Sequence, residues 1–222
     1  MLSDARLIAG KDLRIEMRSK VGVGQMVPFA LLVLVLFGLA LDADSDVLAR
    51  LAPALYWIAV LFSGLLAVQR AFAVEGAPGV AEAMRLSGID PAGYFLGKFA
   101  AVAAQLAILQ VVLALGVVVL YGAELDGPLL LSATAVAATV AIAAAGTLYG
   151  VLASGLRVRD TLVPLLLLPA LAPVLLGATR ASEAALGIGV DDGWGWCGLL
   201  AGFGVLYLGF GLLFFGTLLE ET

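Results

Sequence analysis

The chain of 222 residues is 63% hydrophobic and only 13% charged, with a formal net charge of −5. A soluble domain has about 25% charged residues, so this chain has too little polar surface for a soluble enzyme, a disordered segment or a nucleic-acid-binding protein. It has no histidine and one cysteine, Cys197, which excludes histidine-ligated metal sites, histidine-based triads and an intrachain disulfide.

The first twenty residues combine many charges with apolar residues at helical spacing. The apolar positions are Leu2, Ala5, Ala9, Leu13 and Met17. Such a pattern is typical of an amphipathic helix that lies in the plane of the membrane interface. We predict an interfacial helix over residues 1–20.

Six long uncharged stretches follow. We predict membrane spans over residues 21–41, 51–69, 99–123, 129–153, 161–179 and 194–219. About 20 apolar residues cross the hydrocarbon as one helix, and stretches of this length are unlike the strands of a β-barrel. The predicted fold is a single all-α transmembrane domain over residues 1–222, with six helices.

The basic residues set the orientation. With six spans both termini lie on one side, and that side collects ten of the twelve basic residues, which are Arg6, Lys11, Arg14, Arg18, Lys20, Arg70, Arg85, Lys98, Arg157 and Arg159. Only Arg50 and Arg180 lie on the other side. Because cytoplasmic segments are enriched in lysine and arginine, we predict that both termini are cytoplasmic.

The longest segment between spans is the cytoplasmic loop over residues 70–98. Residues 82–86 read as a short helix, since Pro78 and Gly79 precede them and Gly88 and Pro91 follow. The loop is the one feature of the chain large enough to bind a soluble partner subunit.

The interiors of the predicted spans contain no Asp, Glu, Lys or Arg. Ionisable groups inside the membrane are the usual mark of ion coupling and proton relays, so their absence weighs against an ion-coupled transporter. The chain also lacks the phosphate-binding G-x-x-x-x-G-K-[ST] pattern of ATPases. A transport function therefore requires an external motor, and no catalytic residues are predicted.

Two pairs of glycines have the G-x-x-x-G spacing that lets helices approach closely in lipid. Gly146 and Gly150 lie in the fourth span, and Gly198 and Gly202 lie in the sixth. Packing within the chain and contact between subunits both explain this spacing, and the sequence leaves the two open.

Several stretches together resemble the haem exporter protein B family, the permease subunit of the cytochrome c maturation system. They are KDLRIEMRSK at 11–20, then Phe72, Glu75, Gly79, Leu86 and Asp90, then FLGK at 95–98, and the proline-spaced leucine run within 146–176. The resemblance covers nearly the whole chain.

The resemblance implies an ABC-2-like permease in the bacterial inner membrane, working as a homodimer within a larger complex. The implied partners are an ABC ATPase subunit, a haem-handling membrane subunit, a small accessory membrane subunit and a periplasmic haem chaperone. ATP is then bound by the ATPase, and haem by a partner, since no axial ligand is placed convincingly here. The residues expected to contact the ATPase are Glu75, Gly79, Glu82, Met84, Leu86, Ile89 and Asp90.

Two alternatives stay open at this point. One is an ABC-2-type exporter permease for another substrate, such as a lipid, a glycan or a drug. The other is a membrane scaffold that gathers partners without transporting anything.

The predicted topology is tested by cysteine labelling in intact cells, in a variant with Cys197 replaced by serine. Cysteines placed at Ser3 and Thr222 should be shielded from a membrane-impermeant thiol reagent, whereas one placed at Ala43 should react. Labelling at either terminus would contradict the topology.

Overall fold

The computed structural model describes residues 1–19, 21–41, 45–73, 88–123, 126–154, 159–189 and 191–220. Within these residues the chain forms helices and short connections, with no strand. The helices are α1 (Leu2–Ser19), α2 (Val21–Leu41), α3 (Ser45–Ala73), α4 (Pro91–Tyr121), α5 (Pro128–Ser154), α6 (Arg159–Ala185) and α7 (Gly193–Glu220).

Helices α2 to α7 are each long and apolar enough to cross a membrane. The prediction of an all-α fold with six spans is therefore confirmed, and the chain is a multi-pass membrane protein. In an α-helix the backbone N–H groups bond to carbonyls of the same segment, which is the condition for crossing hydrocarbon.

Two helices extend into the segment that the sequence assigns to the cytoplasmic loop. Helix α3 continues to Ala73 and α4 begins at Pro91, although the predicted spans end at 69 and begin at 99. The charged residues Arg70 and Lys98 thus lie within helices, because a charge marks the edge of the hydrocarbon without breaking backbone hydrogen bonds.

Helix α4 has clear end signals. The side chain of Asp90 caps its first turn, proline occupies its first position, and Gly122 follows it in the left-handed conformation, with φ of 63°. Each of these is a preferred residue at its position. Helix α6 continues through Pro164, Pro169 and Pro173 as one element.

Helix α5 packs against α3, α4, α6 and α7. Its buried side is made mainly of alanines, namely Ala138, Ala141, Ala143, Ala144 and Ala145. The hydroxyl of buried Thr147 donates to the carbonyl of Ala143 at 2.8 Å. Side chains this small let the neighbouring helices come close, and close packing is what associates helices in lipid.

The two glycine pairs have different surroundings. A Cβ on Gly146 would collide with Val68, and one on Gly150 would collide with Phe72, so this pair is where α5 meets α3. Among the described residues, nothing lies within 4 Å of a Cβ on Gly198 or Gly202. Packing against the described residues therefore does not explain the second pair.

Leucine substitutions should affect stability differently at the two glycine pairs. Gly146→Leu forces a side chain into Val68 and should lower the free energy of unfolding by about 1–3 kcal/mol, the usual cost of overpacking. Gly198→Leu is the matched control and should leave the stability of the isolated chain within about 0.5 kcal/mol of wild type. Thermal unfolding in detergent measures both, and equal losses would contradict the packing described here.

Candidate functional site

The residues expected to contact the ATPase follow α3 and precede or adjoin the start of α4 in the sequence. Glu75, Gly79, Glu82, Met84 and Leu86 fall outside the described residues, so their arrangement stays a prediction. Ile89 and Asp90 are described and lie directly before α4.

Ile89 is half-buried and packs against the apolar core. The carboxylate of Asp90 accepts a hydrogen bond from the backbone N–H of Gly93 at 2.9 Å. The end of the loop is thereby fixed to the first turn of α4. A force applied to the loop would reach that helix directly.

Asp4 of α1 is joined to the same turn. Its carboxylate accepts from the backbone N–H of Asp90 at 3.3 Å and from the hydroxyl of Ser3 at 3.1 Å. These two hydrogen bonds, the first being the stronger cause, hold the pKa of Asp4 below its ordinary value of 3.8. The stabilisation is therefore present above pH 3.8 and is lost as the pH falls through the lower, folded-state pKa.

Two glycines of α4 allow α1 to lie against it. A Cβ on Gly93 would lie 2.7 Å from the carbonyl oxygen of Met1, and one on Gly97 would lie 2.6 Å from the Cβ of Ile8. No larger residue fits at either position without a shift. Gly93 and Gly97 also have the G-x-x-x-G spacing. The sequence thus contains a signal for this contact, although the contact was not predicted from it.

Lys98 is buried where α1, α3 and α4 meet. Its side chain is 1% exposed, and its Nζ lies 2.8 Å from the Oδ2 of Asp12 in α1. The same nitrogen donates to the carbonyl of Ala71 at 2.7 Å and lies 5.2 Å from the centroid of the Phe72 ring. Burial of an ammonium group costs several kcal/mol, which these three contacts offset.

A cavity of about 710 Å³ lies at the other end of the bundle, between α3, α4, α5 and the end of α6. Its volume falls in the range of about 300–1,000 Å³ that is typical of small-molecule sites. No charged residue lines it among the described residues. Its polar lining residues are Tyr56, Trp57, Gln110, Ser132, Thr139 and Ser182.

Most of these polar groups are satisfied by the protein itself. The Tyr56 hydroxyl donates to the carbonyl of Gln110 at 3.3 Å, and Trp57 Nε1 donates to the Ser182 hydroxyl at 3.0 Å. The amide nitrogen of Gln110 is buried without a hydrogen-bond partner in the described part of the chain. The cavity can therefore accommodate an apolar molecule but offers few polar contacts to it.

The described residues bring together no group of three His, Cys, Asp or Glu side chains that could hold a metal ion. Cys197 is buried at the start of α7. What the geometry offers is a junction of α1, α3 and α4 joined by hydrogen bonds and an ion pair, and an apolar cavity near the opposite end of the bundle.

Comparison with known proteins gives a consistent result. A family model described as CcmB protein matches residues 4–216. Heme exporter protein B of Haemophilus influenzae is 30% identical over 202 residues, which cover 91% of this chain and 89% of that protein.

Two further relatives have the same name. Heme exporter protein B of Rhodobacter capsulatus is 27% identical over 187 residues, covering 84% of this chain and 86% of that protein. The protein of that name from Escherichia coli K12 is 32% identical over 87 residues, covering 39% of this chain and 40% of the relative.

The junction is tested by removing one charge of its ion pair. Asp12→Asn removes the carboxylate that lies 2.8 Å from the buried Lys98 ammonium and should lower the free energy of unfolding by about 3–5 kcal/mol. The matched control is Glu183→Gln, which breaks the exposed 2.9 Å pair with Arg180 and should cost at most about 1 kcal/mol. Thermal unfolding in detergent compares the two variants. Equal losses of stability would show that the buried pair of Lys98 and Asp12 contributes no more than the exposed pair of Arg180 and Glu183.

Proposed function

Because the chain belongs to the CcmB protein family, we propose that it is the permease subunit of an ABC-type complex for cytochrome c biogenesis. Hydrolysis of ATP by a partner subunit is coupled to delivery of haem or to release of a haem-loaded periplasmic chaperone. The family match over residues 4–216 carries this proposal. The names of the relatives support haem as the substrate. Six helices that are apolar enough to cross a membrane, in a chain related to bacterial proteins, support the bacterial inner membrane as the location.

The distribution of charge supports an external source of energy. The sequence offers neither the phosphate-binding motif of ATPases nor an Asp, Glu, Lys or Arg inside the predicted spans. The chain therefore lacks the residues expected for nucleotide hydrolysis and for ion coupling through charged side chains. The chain itself is non-catalytic, and an ABC ATPase subunit supplies the energy.

Haem is held by a partner membrane subunit rather than by this chain. The absence of histidine and the uncharged cavity lining support this division of labour. Haem bound in that cavity would bury its carboxylates without a cationic partner, which is costly. A small accessory membrane subunit and the periplasmic haem chaperone complete the complex.

The loop between α3 and α4 is the coupling element. An ATPase moves membrane helices through a segment of the permease that inserts into the ATPase and transmits its conformational change. The contacts of Ile89 and Asp90 support this role, since both tie the end of the loop to α4. ABC ATPases work in pairs, so two copies of this chain each present one loop.

A second candidate is a permease for an apolar substrate other than haem, and the uncharged cavity favours it. The two candidates differ in how ATP hydrolysis by the purified complex responds to the haem-loaded chaperone. The rate changes if the complex acts on haem delivery, and it stays constant if the substrate is unrelated.

Leu86→Asp tests the coupling loop. A charge placed in a packed interface should cost about 2–5 kcal/mol of binding, so the ATPase should no longer co-purify and cytochrome c maturation should fall. The control is Ile188→Asp, the same kind of change in the turn after α6 at the opposite end of the bundle. Both variants should insert at normal abundance. If the ATPase stays bound to Leu86→Asp, the interface lies elsewhere, with residues 157–160 the next candidate.

A further inference from the structure

Helix α1 separates its charges onto two sides. Its basic residues are all exposed, and they are Arg6, Lys11, Arg14 and Arg18. Its acidic residues are all half-buried, and they are Asp4, Asp12 and Glu16. The outer side of α1 is therefore strongly cationic, although the charges of the whole helix nearly balance.

The acidic side chains are already used by contacts inside the protein. Asp4 accepts from the backbone N–H of Asp90, and Asp12 pairs with buried Lys98. Among the residues that the structure describes, Arg6, Arg14 and Arg18 form no ion pair. Their guanidinium groups are available to an anionic partner.

Apolar side chains lie on the same outer side. Leu2, Leu7 and Met17 are 71%, 71% and 75% exposed. Large apolar groups beside exposed arginines are typical of helices that insert partly among lipid headgroups, since the apolar groups enter the acyl boundary and the cations stay at the surface.

The position of α1 along α4 fits that level of the membrane. It contacts α4 at Gly93, Gly97 and Lys98, directly before the uncharged stretch over residues 99–123. Because the charged residues of α4 end at Lys98, we expect this part of the helix to lie at the headgroup level on the side that carries the basic residues. The outer side of α1 therefore meets the headgroup layer.

We propose that the outer side of α1 is a binding surface for anionic phospholipids, with Arg6, Arg14 and Arg18 contacting the phosphates and Leu2, Leu7 and Met17 entering the acyl boundary. Guanidinium groups bind phosphate oxygens in pairs and keep their charge at every physiological pH. The inner side of α1 packs against the helix bundle, and the outer side contacts the membrane surface.

The test uses the full-length chain in a mild detergent, titrated with short-chain phosphatidylglycerol or phosphatidylcholine while native mass spectrometry counts bound lipids. Wild type should bind phosphatidylglycerol more tightly than phosphatidylcholine. In Arg6→Gln/Arg14→Gln/Arg18→Gln the affinity for phosphatidylglycerol should fall at least about tenfold, whereas that for phosphatidylcholine should change little.

Two control variants distinguish an effect of lost charge from an effect of misfolding. The corresponding triple lysine variant keeps the charge and should retain most of the phosphatidylglycerol binding. Arg50→Gln changes a cation at the other end of the bundle and should bind as wild type. If the triple glutamine variant misfolds, the affinity of wild type for phosphatidylglycerol is measured at different salt concentrations instead. Electrostatic binding of the headgroup should weaken between about 0.05 and 0.5 M salt.

Three results would overturn the proposal. The first is that wild type binds the two lipids with equal affinity. The second is that its affinity for phosphatidylglycerol does not change with salt concentration. The third is that the triple glutamine variant still binds phosphatidylglycerol but no longer binds the ATPase. The last result would make this face a contact with a protein instead of a lipid surface.

Discussion

The end of the bundle where α1, α3 and α4 meet depends on the contacts of the buried ammonium group of Lys98. This group contacts the carboxylate of Asp12, the carbonyl of Ala71 and the ring of Phe72, so one side chain joins α1, α3 and α4. Because these contacts offset the burial of a charge, loss of the Asp12 carboxylate should be costly. Helices α3 and α4, which flank the proposed coupling loop, meet at this junction.

The number of spans could be predicted from the sequence, since a membrane crossing is set by the length of an uncharged run and little else. The contacts at the junction could not. Lys98 looks like any cytoplasmic lysine, and its partner Asp12 lies far away in the sequence. Glycine spacing was similarly ambiguous: Gly198 and Gly202 have the spacing of a packing motif but no neighbour among the described residues.

The two ends of the molecule suit different tasks under the proposed function. The cytoplasmic end is charged, fixed by hydrogen bonds and ion pairs, and adjacent to the loop that a motor would push. The opposite end contains an apolar cavity without charged residues, which suits a molecule dissolved in the membrane better than a carboxylate-bearing one. A permease that moves helices while a partner holds haem is consistent with both features.

A double-mutant cycle on Asp12 and Lys98 tests the central claim most directly. The free energy of unfolding is measured in detergent for wild type, Asp12→Asn, Lys98→Met and the variant with both changes. If the pair holds the junction, the double variant should be clearly more stable than the sum of the single effects predicts, with a coupling energy of about 2–3 kcal/mol. Single effects that add to within about 0.5 kcal/mol would show that the two side chains act independently, and the account of the junction would be wrong.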